Sequence, residues 1–352
     1  MIAEMWHRIL GSIESPEFFH QYAWYEAALT TTPATAENTH FIVVEDGKTP
    51  LAICPLQLSL TRTLGLPVRV LSTIDPHSVS YSDFVCARGL NVLPHVIEEL
   101  RESKQISWDL LLLPKCLHTA AVDPASDQLA RMPGVFRHAW DVCYYISCDD
   151  GMEANYGSMS SKMRYQLRKG RRQLAQAGEL AFLSTRDPAL LPGYLKEFLT
   201  LEASGWKGVE GTAIKCSPDL IRFYERVVDA FGKSRQCEIN LMQVSGRNIA
   251  GDLALLSAGK WNQLKTAYNE EHGKTSPGYV MLDGIFTRLC DDPTVHTANV
   301  LTGAEWAARL GARELTVWRV VARNATVRGS ISLQEVKLRH FVHNAARRLL
   351  RA

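Results

Sequence analysis

The residues with the clearest chemical potential lie between Asn262 and Leu289, where a predicted strand is followed by a helix. Ser276 is placed to cap that helix, and Pro277 at the first helical position gives up only an N–H that has no partner within a helix. Gly278 adds no side chain to the first turn, so a ligand can approach the backbone there. The N–H groups of a helix start and the helix dipole attract anions. The same residues are also typical of an ordinary capped helix. The neighbouring elements must therefore decide between a ligand site and a simple helix cap.

A second group of candidate residues lies on the segment SMSSKMRYQLRKGRRQLAQAG, a predicted helix capped by Ser160 or Ser161 and ended by Gly178. Its arginines fall at i, i+4, i+7 and i+8 and make one basic face, and the segment contains no acidic residue. A solvated face is the ordinary explanation of such a stripe. Without acidic partners on the same helix, an anionic ligand or an acidic neighbouring surface is an equal alternative. The arginines are Arg164, Arg168, Arg171 and Arg172.

The order of predicted elements places these two groups in one half of the chain. The second half reads as strand, two helices, a three-strand meander, helix, strand, short helix and strand, which resembles the order of the GNAT acyltransferase fold. The first half repeats the central part of that order and contains an Asp46-Gly47 hairpin signal. We therefore predict an α+β fold of two diverged GNAT-like modules, each a mixed, mostly antiparallel sheet flanked by helices. The predicted divisions are 1–150, 151–330 and a basic amphipathic helix at 331–352.

Composition excludes several classes of protein. With 352 residues, 46% apolar content and a formal charge of +2, the chain can bury two ordinary cores and shows no charge excess for wholesale nucleic-acid binding. The eight cysteines form no CxxC pair and the histidines show no ligand spacing, so we expect reduced thiols and no metal. The N-terminus is too charged for a signal peptide, and no apolar run reaches the roughly 18 residues of a membrane span. We expect a cytoplasmic protein.

Several segments in the right order carry a resemblance to a known family. SKMRYQLRKGRRQL, LEASGWKGVEGTAI, IAGDLALL, LKTAYNEEHGKTSPGYVMLD and LTGAEWAARLG look like the CelD-type acetyltransferase family of the GNAT superfamily, which is distantly similar to the FemABX aminoacyltransferases. The resemblance covers most of the second half. Two positions depart from it. Asn269 stands where the family commonly has Asp, and Ala307 stands where it commonly has Lys.

The resemblance implies a donor site and a donor. The donor is acetyl-CoA or another acyl-CoA, bound without a metal, and its pyrophosphate sits at the start of the helix after the fourth strand. The usual glycine-rich signature is only echoed, between Gly273 and Gly278. The predicted donor-binding residues are Ser276, Pro277, Gly278, Tyr279 and Lys265.

The resemblance also implies where the reaction occurs. Tyr268 at the strand end can donate a proton to the leaving thiolate, although ring packing is an equal alternative. Glu270, with Glu271 beside it, is a candidate general base, and Glu202 is the alternative base. The acceptor is an amine or hydroxyl on a sugar or other small molecule, because such relatives are often associated with exopolysaccharide or cell-envelope genes. The candidate acceptor-binding residues are Trp206, Lys207, Asp83, Tyr81 and Arg164.

Three hypotheses follow. The first is acyl transfer by direct attack in a ternary complex, because no GxSxG motif or Cys/His arrangement supports a covalent intermediate. The second is a FemABX-like transferase that draws on aminoacyl-tRNA, favoured by the basic helix face and opposed by the near-neutral charge. The third is a non-catalytic scaffold of a polysaccharide assembly, whose basic C-terminal helix contacts a protein or an anionic membrane surface.

Overall fold

The computed structural model describes residues 2–31, 37–74, 81–87, 89–117, 119, 121–205, 208 and 210–351. The chain forms two compact units. Unit 1 consists of Met1–Glu14, Thr32–Asp141 and Thr316–Ala352, and unit 2 consists of Ser15–Thr31 and Val142–Leu315.

The α-helices of the described residues are, in chain order, α1 (Ile2–Leu10), α2 (Tyr22–Thr31), α3 (Leu93–Glu102), α4 (Asp127–Arg131), α5 (Gly151–Ser158), α6 (Ser161–Ala177), α7 (Leu191–Ser204), α8 (Pro218–Lys233), α9 (Pro277–Cys290), α10 (Glu305–Arg309) and α11 (Val327–Arg351). Short 3-10 turns occupy Phe18–His20, Ile214–Cys216 and Glu270–Thr275.

The strands are β1 (Thr39–Asp46), β2 (Thr49–Thr63), β3 (Leu66–Thr73), β4 (Val85–Cys86), β5 (Leu110–Cys116), β6 (Val135–Ser147), β7 (Leu180–Thr185), β8 (Cys237–Val244), β9 (Arg247–Ser257), β10 (Lys260–Tyr268), β11 (Thr297–Asn299) and β12 (Arg313–Arg323).

In unit 1 the strands lie in the order β1-β2-β3-β5-β12, with β4 on β2. The β1–β2 hairpin turns at Gly47, whose φ of 62° is readily reached by glycine, and this confirms the predicted hairpin. β3 and β5 are parallel, which requires a crossover, and α3 lies on the connection between them. The core on this side includes Phe84, Ile97 and Trp108.

In unit 2 the order is β6-β11-β10-β9-β8-β7. β7 to β10 are antiparallel neighbours, and β10 runs parallel to β11 after the crossover through α9. The predicted mixed, mostly antiparallel sheet and the three-strand meander are therefore confirmed. Leu174, Trp261 and Phe286 are among the core residues that α6 and α9 bury against this sheet.

The two units divide the chain differently from the predicted scheme. The chain leaves unit 1 within β6, at 141/142, and returns to it within β12, at 315/316. Val320 of β12 pairs with Leu113 of β5, and residues 15–31 join unit 2, where Trp24 packs edge-on against Phe223 with ring centroids 5.1 Å apart. Val320 and Trp24 are fully buried by these contacts. Burial of apolar side chains stabilises contacts between segments that are distant in sequence. A local sequence pattern does not show which distant segment a side chain will contact, so it does not predict the unit boundaries.

The helix α11 begins four residues before the predicted 331 to 352 segment, at Val327. Leu333 is buried in unit 1, whereas Leu338, Phe341 and Val342 are exposed. None of the described helices combines the length and apolar content that crossing a membrane requires.

A buried polar network lies against α9 in unit 2. The Glu238 carboxylate accepts hydrogen bonds from Arg288 Nη2 at 2.6 Å, Arg186 Nε at 2.7 Å and Trp261 Nε1 at 3.0 Å. Burial alone would raise the pKa of Glu238, but the two guanidiniums lower it below its usual range. A buried carboxylate is thus kept charged by paired cations.

Asp252 is buried beside this network and behaves in the opposite way. Gln263 Nε2 donates to its Oδ2 at 2.6 Å, and Oδ1 has no hydrogen-bond partner among the described residues. Burial raises the pKa of the Asp252 carboxyl well above its usual range, and the nearby Glu238 charge adds to the effect. Asp252 is therefore a carboxyl group that the fold favours in its protonated form.

The helix α6 packs closely against the residues before α9. A Cβ atom at Gly170 would lie within van der Waals overlap of the Thr275 carbonyl oxygen and 3.1 Å from Val280 Cγ2. Gln166, one turn earlier on the same helix, donates from Nε2 to Ser276 Oγ at 2.7 Å. Ser160 caps α6 by accepting from the Met163 N–H, and Gly178 ends it, as predicted.

We expect Asp252→Asn to stabilise the protein at alkaline pH. The pKa of Asp252 in the folded state is raised above the unfolded value of about 3.9. The wild type therefore has the full stabilising contribution of this group to the free energy of unfolding below about pH 4, and it loses that contribution as pH rises towards the folded-state pKa. Asparagine does not titrate. Urea unfolding should show the variant more stable than the wild type by on the order of 2 kcal/mol at pH 8, with a smaller difference at pH 5. Asp229→Asn, on exposed α8, is the control and should follow the wild type at both pH values. Equal stability at pH 8 would contradict this prediction.

We expect Gly170→Ala to separate α6 from the start of α9. The obstructing atom is a backbone oxygen, which cannot rotate away, so the cost should be about 1–3 kcal/mol by thermal or urea unfolding. Gly193→Ala on α7 is the matched control, since a Cβ there meets open space and alanine favours a helix. If the two variants were equally stable, the contact would not be a constraint.

Candidate functional site

A cavity of about 280 Å³ opens where β10 ends and α9 begins, within unit 2. Its wall combines the end of one strand, a 3-10 turn, the first turn of a helix and one indole. The lining residues are Thr266, Tyr268, Gly273, Ser276, Pro277, Gly278, Tyr279, Leu282 and Trp306. Four of the five predicted donor-binding residues and one predicted catalytic residue therefore meet at one cavity.

Ser276 does not cap α9 in the predicted way. Its backbone is left-handed, with φ 55° and ψ 53°, and its side chain makes no capping hydrogen bond. A non-glycine residue in this region costs about 1 kcal/mol or more, and the contacts from Gly170 and Gln166 of α6 hold it there. Ser276 therefore occupies the predicted N-cap position but makes no capping hydrogen bond, because the chain enters α9 from the 3-10 turn Glu270–Thr275 and Ser276 Oγ faces Gln166.

The first turn of α9 presents backbone donors beside the cavity. Pro277 has no N–H, and Val280 N donates to Ser276 O at 3.1 Å. The N–H groups of Gly278 and Tyr279 come before the first intrahelical hydrogen bond, so helix geometry gives them no partner inside α9. Together with the dipole of a 14-residue helix, they make this position suited to an anionic group.

Tyr268 and Glu270 lie beside this helix start. The Tyr268 ring is exposed and reaches Gly278, where a Cβ atom would be 3.6 Å from its Cδ1. Glu270 is exposed, and its Oε1 would be 3.7 Å from a Cβ at Gly205. The end of α7 therefore meets the strand end that carries both predicted catalytic groups. Asn269 Oδ1 accepts from Glu271 N at 2.9 Å, so Asn269 caps the 3-10 turn.

Glu202, the alternative base, has a structural contact. It is buried near the end of α7, and its Oε2 accepts from the Ile214 N–H at 2.9 Å. This hydrogen bond ties the helix to the 3-10 turn Ile214–Cys216.

Two other predicted residues lie away from the cavity. Lys265 points to the other face of the sheet, with Nζ 6.0 Å from the centroid of the Tyr224 ring. Arg164 Nη1 donates to the carbonyls of Tyr156 at 2.7 Å and Met159 at 2.6 Å, so it holds the α5–α6 connection.

The basic face of α6 borders a separate cavity of about 400 Å³. Arg164, Arg168 and Arg171 line it together with Glu153 and Asp283. Burial raises the pKa of Asp283, whose Oδ1 accepts from the Tyr156 hydroxyl at 2.9 Å. Acidic side chains from α5 and α9 thus face the arginines. This arrangement fits the acidic neighbouring surface that the sequence offered as one explanation of the basic face.

The predicted acceptor residues of the first half are buried in unit 1. Asp83 Oδ1 accepts from the Phe84 N–H at 2.8 Å and from Thr119 Oγ1 at 2.9 Å, and Tyr81 is buried near it in sequence. Trp206 and Lys207 lie outside the described residues.

Sequence reasoning missed part of the cavity wall. Trp306 lies one residue before Ala307, and the fold brings it to the cavity while Ala307 is fully buried in the core. A lysine at position 307 would have to bury its ammonium in that environment. Thr266 could have been predicted from the sequence as a cavity residue. It lies two residues before Tyr268 on the same strand, so the two side chains face the same side of the sheet.

A larger cavity, of about 570 Å³, lies between α7 and α8 in unit 2. Leu191, Leu195 and Val228 form much of its wall. Leu191 and Pro192, at the start of α7, are among its lining residues, but none of the predicted catalytic or donor-binding residues lines it. We therefore assign the candidate site to the smaller cavity.

Comparison with known proteins gives a family match for the segment that contains this cavity. Residues 161–309 match a family described as an acetyltransferase (GNAT) domain, and this segment includes all the lining residues of the cavity. The search of curated proteins found no match.

The fold resembles several solved structures at low sequence identity. FemX is 11% identical with a TM-score of 0.57, covering 91% of this chain and 96% of that chain. The C-terminal domain of a protein described as a lysylphosphatidylglycerol synthetase, from Agrobacterium fabrum, is 10% identical with a TM-score of 0.57, covering 96% of each chain. L-PGS from Bacillus licheniformis is 11% identical with a TM-score of 0.52, covering 93% of this chain and 94% of that chain. At these identities the likeness concerns the fold. The chain thus has a fold similar to that of FemX, and its residues 161–309 match the GNAT acetyltransferase domain family.

Proposed function

We propose that the protein transfers an acyl group, acetyl in the simplest case, from acyl-CoA to an amine or hydroxyl of a sugar or cell-envelope precursor. The observation that carries the proposal is the cavity at the start of α9, where the Gly278 and Tyr279 N–H groups and the Tyr268 ring meet inside the GNAT domain. The acceptor class rests on the resemblance to CelD-type acetyltransferases.

The cavity suits the anionic middle of such a donor. Pyrophosphate oxygens accept hydrogen bonds, and the first turn of α9 offers backbone donors without placing a side chain at Gly278. The volume of about 280 Å³ accommodates a segment of the donor, with the remainder lying along the protein surface. Ser276, held by Gln166, keeps this first turn in place.

The transfer requires two proton movements. The acceptor nitrogen or oxygen attacks the thioester carbonyl and loses its proton, and the carbon–sulfur bond of the tetrahedral species then breaks to release a thiolate. Glu270 is exposed at the edge of the site and accepts the acceptor proton, directly or through water. The Tyr268 hydroxyl donates a proton to the thiolate. Attack in a ternary complex needs no covalent enzyme intermediate.

A second candidate is aminoacyl transfer from tRNA. The fold resembles FemX and a lysylphosphatidylglycerol synthetase domain, and the α6 face carries Arg168, Arg171 and Arg172. Glu153 and Asp283 face part of that surface, which reduces its attraction for a polyanion. Acyl-CoA is therefore our preferred donor.

Isothermal titration should detect acetyl-CoA or a longer acyl-CoA, and Gly278→Leu should weaken that binding by about tenfold or more. The added side chain would enter the cavity beside Tyr268 and cover the backbone donors. Gly193→Leu, which places the same side chain in open space on α7, is the control and should bind like the wild type.

Two results would contradict this prediction. One is the absence of binding by every acyl-CoA at millimolar concentration. The other is tight binding of aminoacyl-tRNA with a steep salt dependence, which neutralised phosphates produce and which would favour the second candidate.

Tyr268→Phe should lower kcat by about 100-fold and change the KM for acyl-CoA little, because the hydroxyl acts in bond breaking and the ring remains. Free-thiol release can be followed with the most reactive acceptor from a panel of amines and amino sugars. Tyr165→Phe, at an exposed position of α6, is the matched control. A Tyr268→Phe variant with wild-type kcat would show that this tyrosine only packs against Gly278.

A further inference from the structure

A second cavity, of about 510 Å³, lies in unit 1 between the sheet and α11. Its volume is within the range of small-molecule sites. Strands β3, β5, β6 and β12 form its floor, and α11 forms one wall. It shares no residue with the acyl-transfer cavity of unit 2.

The strand β6 lines the cavity with His138 and Trp140, which alternate with outward residues and so share one face. His138 is 6% exposed, and neither of its ring nitrogens has a hydrogen-bond partner among the described residues. Burial, together with the charges of His340 and Arg319, lowers the pKa of His138 to about 4. The imidazole is therefore neutral at physiological pH and has one N–H to donate. A buried polar group left without a partner costs free energy that a ligand can recover.

Arg319 of β12 provides the cation of this cavity. Its guanidinium lies over the Trp140 ring, 3.3 Å from the centroid, and its Nε is buried without a hydrogen-bond partner among the described residues. The cation–π contact holds the guanidinium in place and leaves the Nε–H to be satisfied. Arg319 and His138 thus both line this cavity, and each has a buried nitrogen without a hydrogen-bond partner among the described residues.

The remaining charges are mixed at the rim and absent from the floor. Arg62 lies at the rim, and Arg339 is paired with Glu335 on α11. Asp141 lies near enough to raise the pKa of Arg319, opposing the lowering by burial. His340 and His343 of α11 complete the polar side. The floor is apolar and includes Val70, Leu110, Leu112 and Val321.

We propose that this cavity binds an anionic amphiphile, a carboxylate or phosphate monoester carried on a short hydrocarbon chain. The anionic oxygens accept hydrogen bonds from the His138 ring N–H and the Arg319 Nε–H, and the hydrocarbon covers Val70, Leu110 and Val321. One anionic group can satisfy both donors, and because the floor includes Val70, Leu110 and Val321 we expect a simple inorganic anion to bind more weakly. A free fatty acid and a lipid phosphate share this chemistry.

Isothermal titration of the full chain with four probes tests the proposal. Octanoate and octyl phosphate represent the two sources, inorganic phosphate lacks the chain, and octyl glucoside lacks the charge. Octanoate, octyl phosphate or both should bind at least about tenfold more tightly than the chainless and uncharged probes. The tighter of the first two identifies the source.

Arg319→Gln should weaken binding of that probe by about tenfold or more, as expected for the loss of a charged hydrogen bond. Arg8→Gln, at an exposed position of α1 in the same unit, makes the same charge change and should have no effect. Arg62→Gln tests the rim at an exposed position where folding is not at risk, and it should weaken binding less than Arg319→Gln.

A second readout separates binding from folding. The ring resonances of His138 in the NMR spectrum should titrate at an acidic pH in the free protein, and the bound anion should shift that titration to higher pH. The proposal is overturned if no probe binds, if octyl glucoside binds as tightly as octanoate, or if the His138 titration stays unchanged at saturating probe.

Discussion

The close approach of α6 to the residues before α9 is the contact on which the candidate site depends. Glycine at position 170 allows the Thr275 carbonyl to lie against the α6 backbone, and Gln166 of the same helix holds Ser276 Oγ. These contacts hold Ser276 in a left-handed conformation, and that conformation turns the chain so that the first turn of α9 faces the cavity. Without this packing, Gly278 would still start a helix, but its N–H would not meet Tyr268 at a shared cavity.

The buried polar groups beside α9 show how a sheet can carry a charged side chain beneath a helix. Glu238 stays ionised because Arg288 and Arg186 pair with it, whereas burial raises the pKa of Asp252 and the hydrogen bond from the neutral Gln263 only partly opposes that rise. The paired carboxylate links α9 to the central strands through Arg288. Breaking such a pair from one side costs more than an exposed ion pair contributes, so the network favours one position of the helix.

The two units use similar strand arrangements with different helix starts. Among the described strand pairings, β3 runs parallel to β5 in unit 1 and β10 runs parallel to β11 in unit 2, and the connections pass through α3 and α9. The residues at the start of α3, Val92 and Leu93, are buried in the core, so this turn has no space for a ligand. The start of α9 has Gly278 and opens on a cavity. Unit 1 instead places its polar cavity under α11, with His138 and Arg319 as its donors.

The sequence alone was sufficient for the local elements and for the resemblance to the GNAT fold, which the family match over residues 161–309 supports. The Asp46-Gly47 turn, the Ser160 cap and the three-strand meander follow from residue types at short separations, because turn and cap preferences act within a few residues. The SPG segment could likewise be recognised as a helix start that suits an anion.

Only the tertiary structure decided which residues share a cavity. It brought Trp306 to Tyr268, turned Lys265 towards Tyr224, buried Glu202 against Ile214 and paired β12 with β5 of unit 1. These outcomes depend on long-range burial, in which each apolar or polar group takes the partner that packing makes available. A short-range sequence pattern shows that a side chain prefers to be buried, but it does not show which distant residue that side chain will contact. The set of residues that line the cavity is therefore known only from the tertiary structure.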